Sequence, residues 1–176
     1  MRCKHSIRWV NRFTRAAALA TTAGVSSALV YTPRPDSAPK DGAVLNKQQL
    51  TTLRDVCATV LPKTDTPSAA DVDCHGFIDN QLSKCHSAEE QQAVITILAA
   101  IDAHSVKTYG KSFSELLPAQ QTQILVDLEA LKGFSDEQKG QFKFVKHLLI
   151  FGYFTSEVGA TQALVYQAVP GGYKGS

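Results

Sequence analysis

The sequence predicts an all-α protein, a small irregular helical bundle of about five to six helices behind an N-terminal export signal. Three observations carry this. Apolar residues recur at three- and four-residue spacing in successive segments, most of them opened by a capping residue or closed by Pro or Gly. No stretch alternates with period two between hairpin dipeptides. The 176 residues, 44% hydrophobic and 19% charged, suffice for one packed domain and not for two. No repeat occurs at solenoid periods.

The elements follow in order. Arg2, Lys4, Arg8, Arg12 and Arg15 precede the uncharged run from Ala16 to Tyr31, and Pro33, Arg34, Pro35 and Asp36 break it. A basic region, an apolar region and a polar break are the anatomy of an export leader, assigned to residues 1–31. The run is shorter than the ~20 residues of a bilayer-spanning helix. Its weak hydrophobicity suits the twin-arginine route, although an adjacent Arg pair is missing. Cleavage is expected after Ala28, and Trp9 leaves with the leader. A mitochondrial-type presequence and an N-terminal helix of the fold are the alternatives. Residues 32–44, with several Pro and a Gly, form a linker. The domain spans 45–176.

Asn46 and Gln49 form a capping box for a first helix carrying Leu50, Leu53, Val56, Cys57, Val60 and Leu61, ended by Pro62. Thr64 to Ala69 is a turn-rich loop. Phe77, Ile78 and Leu82 make a short second helix. Ser87 and Glu90 open a third, with Val94, Ile97, Leu98 and Ile101 buried and Gly110 as its stop. Pro118 fits the first turn of a fourth, which buries Ile124, Leu125 and Leu128. Ser135 and Gln138 open a fifth, with Phe142, Val145, Leu148, Leu149 and Phe151 as its apolar surface. Ala160 to Ala168 is a last short helix, followed by a turn-rich tail.

Charge is unevenly spread. Residues 1–40 carry net +6 and the rest net −4, within an overall +2. The acidic body argues against a nucleic-acid partner. Catalytic signatures are missing: no phosphate-binding Gly loop, nucleophile elbow or H-E-x-x-H. His147 lies in an apolar helix and is expected to be packed.

The chemically suggestive feature is Cys74-His75 repeated as Cys85-His86. The first Cys of a C-x-x-C-H haem site is absent from both. A zinc site on these four residues lacks the usual spacing and is the alternative reading. In an exported protein, Cys74 and Cys85 are expected to form a disulfide worth about 2–3 kcal/mol. Cys57 is left over, either as a buried thiol or bonded to another chain; other pairings stay open.

Two segments go beyond generic helix. One runs Leu61-Pro62-Lys63-Thr64-Asp65-Thr66-Pro67-Ser68-Ala69 and on to Gly76-Phe77-Ile78-Asp79. The other runs from Gly152-Tyr153-Phe154-Thr155-Ser156-Glu157-Val158-Gly159 to Val169-Pro170-Gly171-Gly172-Tyr173. Together they resemble the gluconate 2-dehydrogenase subunit 3 family, over about residues 45–175.

The resemblance implies a small exported subunit, itself non-catalytic and without a cofactor. Its partner is a large flavoprotein of the glucose-methanol-choline oxidoreductase type, which holds FAD. A cytochrome c subunit often takes the electrons onward. The location is periplasmic, and membrane association is indirect or through an uncleaved leader. The small chain aids the folding, stability or export of the large one.

Candidate interface residues are Asp65, Thr66, Pro67, Tyr153, Phe154, Thr155, Glu157, Tyr166 and Tyr173. Asp65 and its flanking Thr residues are read first as holding a turn. Glu157 is read as a buried polar anchor paired with Lys146 or His147. The segment Leu148–Phe154 is apolar nearly all round, so it is either the central helix of the bundle or covered by a partner. A stand-alone helical binding protein is the remaining alternative.

Overall fold

The computed structural model describes residues 42–164. The proposed leader, its cleavage site, Tyr166 and Tyr173 lie outside the described residues. Five α-helices occur in the order α1 (Lys47–Val60), α2 (Cys74–Cys85), α3 (Ala88–Tyr109), α4 (Pro118–Glu129) and α5 (Asp136–Thr155). A 3-10 turn at Phe113–Glu115 precedes α4, and a wide π-type turn at Gly159–Ala163 follows α5. The described residues contain no strand, and no helix among them is long and apolar enough to cross a membrane.

The helix starts follow from their caps. Asn46, Ser87 and Ser135 each accept from the third helical N–H, and Gln49, Glu90 and Gln138 return the bond. Gly110 ends α3 in the left-handed region at φ 72°, where a Cβ would be strained. Pro118 occupies the first turn of α4.

Two elements differ from expectation. Helix α2 begins earlier than its apolar residues suggest, because Asp73, itself left-handed at φ 57°, accepts from the Gly76 N–H. Asp tolerates that conformation better than most side chains. Of the expected helix from Ala160 to Ala168, the described part is the π-type turn ending at Ala163, with Leu164 extended, and the rest lies outside the described residues.

Helix α1 packs on α2, α3 and α4, and α5 packs on the same three. The core lies between them, around Leu53, Phe77, Ile101, Phe113, Ile124 and Phe142. Two carboxylates, half-buried Asp102 and buried Asp79, tie distant segments together. Asp102 accepts from Thr52 Oγ1 (3.0 Å) and the Phe113 N–H (3.1 Å), joining α1, α3 and the 3-10 turn. Asp79, on α2, accepts from the backbone N–H groups of Ala43 (2.6 Å), Val44 (3.0 Å) and Leu45 (2.9 Å). The entry of the chain into the domain is thereby fastened to the middle of α2.

Candidate functional site

The two distinctive segments meet at one end of the bundle. After α1 the chain turns through residues 61–73. Ala69 donates its N–H to the Leu61 carbonyl (3.1 Å), and Cys74 donates to the Ala69 carbonyl (3.1 Å). Inside the loop, Ser68 donates to Asp71 Oδ2 from both its N–H (2.9 Å) and its hydroxyl (2.8 Å). These bonds hold the Asp71 carboxyl below its usual range. The carboxylate that shapes the loop is therefore Asp71, and Asp65, expected to hold the turn, stands exposed at the tip.

Helix α5 hooks this loop from the other side. The Tyr153 ring is buried, and its hydroxyl donates to the Pro67 carbonyl (2.9 Å) and toward Thr66 Oγ1 (3.1 Å). Phe154 packs edge-on against Tyr153 at 5.2 Å. Ser156 closes the helix end: its hydroxyl donates to the Tyr153 carbonyl (2.6 Å) and accepts from the Gly159 N–H (3.1 Å). Gly159 abuts that same carbonyl, and Gly152 abuts the Phe77 ring, so both positions exclude a Cβ.

The candidate interface residues thus divide. Tyr153 is a buried scaffold, and Thr66, Pro67 and Phe154 are half-buried. Thr155 donates its hydroxyl back to the Phe151 carbonyl (2.6 Å). Glu157 is exposed, not a buried anchor. Lys146 pairs instead with Glu129 (2.6 Å), and His147, expected to be packed, is exposed. The reason is the phase of α5: Leu149, Gly152 and Tyr153 face inward, which turns His147, Ile150 and Phe151 outward.

The outward pair is the feature missed as a site. Ile150 is 42% and Phe151 49% exposed. Phe151 leans on Phe77, with ring centroids 6.1 Å apart. The sequence shows that α5 is apolar all round, but only packing selects the face left uncovered.

The Cys-His pairs do not converge. Cys74-His75 begins α2 and Cys85-His86 lies at its end. At 1.5 Å per residue the two cysteines stand roughly 16 Å apart along a rigid helix, where a disulfide needs Cα atoms within about 7 Å. The expected Cys74–Cys85 bond is therefore excluded. The same separation removes the four-residue zinc site; among the described residues no three His, Cys, Asp or Glu side chains gather to hold a metal. Cys57 is fully buried, as its place on the apolar stripe implies.

His75 has a structural part. Its Nε2 lies 3.3 Å from Asp73 Oδ1, and its buried Nδ1 has no hydrogen-bond partner. Burial lowers its pKa below the usual 6.5, Asp73 opposes that shift, and Arg54 adds to it. The unfolded chain then takes up a proton more readily than the folded one. The contribution of His75 to stability is full above pH 6.5 and is lost as pH falls through the lowered folded value. Urea unfolding of the wild type should weaken between neutral and mildly acid pH. His75→Asn should flatten that slope; an equal slope in both proteins places the effect elsewhere.

No curated protein and no solved structure matches the chain. One family model does, and its match takes in the anchored loop, α2, α5 and the turn behind it. That model, gluconate 2-dehydrogenase subunit 3, covers residues 47–171, and the chain belongs to this family.

Proposed function

We propose that this chain is the non-catalytic small subunit of a periplasmic FAD-dependent sugar or glycoside dehydrogenase. In this reading it binds the large flavoprotein subunit, of the glucose-methanol-choline oxidoreductase type, and assists its folding, stability or export. FAD belongs to the partner, and a cytochrome c subunit is the onward electron carrier. Membership in a subunit family implies a partner dehydrogenase complex.

The observation that carries the reading is the uncovered apolar ridge of α5. Ile150 and Phe151 lie side by side, about half exposed. Phe151 is backed by Phe77, and Tyr153, two residues further along the helix, fastens the loop at Thr66 and Pro67. Adjacent large apolar side chains on a rigid support are the ordinary material of an interface centre. The exposed polar tip at Thr64 and Asp65 supplies rim contacts.

A C-terminally tagged chain should be isolated from the cell envelope of its own host. A large chain with the absorbance of oxidised flavin should co-elute. The double variant Ile150→Glu, Phe151→Glu, its helix content checked by circular dichroism, should retain at least about tenfold less flavoprotein, equivalent to ~1.4 kcal/mol of binding. Undiminished flavin with the variant moves the interface off α5. No flavoprotein with the wild type refutes the subunit role.

A further inference from the structure

Helices α2 and α5 run antiparallel along one side of the bundle. Phe77, near the start of α2, meets Phe151, and His86, just past its end, meets Phe144, with ring centroids 6.1 and 5.2 Å apart. On α5, Lys143, His147, Ile150 and Phe151 follow at three- and four-residue spacing and all are exposed, so they line one stripe. On α2, Lys84 is exposed and lies seven residues beyond Phe77, on the same edge of its helix.

This side of the molecule carries charge of one sign. Residues 74–88 hold a single carboxylate, the buried Asp79, and residues 139–156 hold none. The chain beyond residue 40 nevertheless carries net −4. Other basic side chains are neutralised within the domain: Lys132 by Asp127, Lys146 by Glu129. Among the described residues, Lys143 and His147 pair with no carboxylate.

We propose that the α5 ridge and this basic rim dock together on an acidic face of the large flavoprotein subunit. That face offers an apolar pocket to Ile150 and Phe151, flanked by carboxylates opposite Lys143, His147 and Lys84. The inference rests on the subunit reading and adds the chemistry of the partner's surface. A second copy of the chain does not fit, since a two-fold contact here sets like charges against one another. The two parts of the face act differently. Burial of two large apolar side chains holds the complex together, whereas rim charges speed the encounter and set its orientation. Lys143 stands about 12 Å from Phe151 along α5. The carboxylates therefore lie to one side of the pocket and fix which way the helix crosses it.

The test compares tagged full-length wild type with the double variant Lys84→Glu, Lys143→Glu. Each is isolated from the cell envelope at roughly 50 mM and roughly 500 mM salt, which bracket weak and strong screening. Flavin absorbance per tagged chain reads the retained partner, and circular dichroism checks the helix content. The double variant should retain about tenfold less flavin at low salt, and the gap should narrow to about twofold at high salt. Lys111→Glu, exposed and outside both helices, should behave as wild type. Undiminished flavin with the double variant at low salt, together with its loss from Ile150→Glu, Phe151→Glu, overturns the acidic face and leaves the subunit reading intact. Undiminished flavin with both pairs of substitutions overturns any docking through α5. Absence of flavin from the wild type refutes the subunit reading and the inference with it. Vesicles of phosphatidylglycerol, with phosphatidylcholine as the neutral control, test a lipid surface instead. Sedimentation of the wild type with the anionic vesicles alone, lost in the double variant, makes a membrane the occupant and overturns the proposal.

Discussion

Asp79→Ala is expected to cost about 3–4 kcal/mol, the largest loss among the single substitutions considered. Its carboxylate is buried on α2 and accepts from three consecutive backbone N–H groups, those of Ala43, Val44 and Leu45. Alanine leaves all three without an acceptor. Ala43 is exposed and recovers a water, but Leu45 is 1% exposed and its N–H does not. Leaving a buried donor unsatisfied costs about 1–3 kcal/mol, and bonds to a charged acceptor lie at the upper end of that range. Leu45 is itself part of the core, so its release also uncovers apolar surface. Asp79→Asn keeps an acceptor for Val44 and Leu45 but turns its amide toward the Ala43 N–H, and about half the loss is expected. Urea unfolding measures both. A loss of unfolding free energy below about 1 kcal/mol for the alanine variant would mean that residues 42–45 find other partners.

A pair of glycines on α5 gives the second large effect, with opposite signs. A Cβ on Gly152 meets Phe77 Cδ1 at 2.6 Å and Cε1 at 3.0 Å. Phe77 is fully buried, with the Phe151 ring against it, so a shift of its ring disturbs the core. Gly152→Ala should therefore destabilise by about 2–3 kcal/mol, the upper part of the range for overpacking a core. Gly140, on the same helix, has nothing within 4 Å of its ideal Cβ. There alanine adds helix propensity alone, and Gly140→Ala should stabilise by up to about 1 kcal/mol. Thermal unfolding of the two variants decides the point. If both move the same way, helix propensity outweighs the α2–α5 contact. The Gly152 variant should also disturb the ridge, since the displaced Phe77 ring supports Phe151.

Much of the fold was legible because its signals are local. The capping boxes at Asn46, Ser87 and Ser135, the stop at Gly110 and the first-turn Pro118 each involve residues within one turn of one another. Where a signal was not local, the expectation failed. The N-cap of α2 is a left-handed Asp73, and no apolar period announces it. Glu157 sits among small and apolar neighbours in sequence, yet the chain leaves α5 at Ser156 and carries it into solvent. Cys74 and Cys85 were expected to pair across a second helix read as short, around Phe77, Ile78 and Leu82. One continuous helix keeps them apart.

The sequence by itself determined the helical class, the positions of most helices, the absence of recognised catalytic signatures and the two segments that carry the family likeness. These rest on periodicity, on caps and on residue identity, which need no knowledge of what packs against what. Only the tertiary structure decided which side of α5 is buried, that Tyr153 fastens the loop at Thr66 and Pro67, and that Asp79 receives the chain at residues 43–45. Each of these joins residues far apart along the chain. A helix apolar on every side has no preferred inward face until neighbouring helices cover part of it, and here they leave Ile150 and Phe151 uncovered.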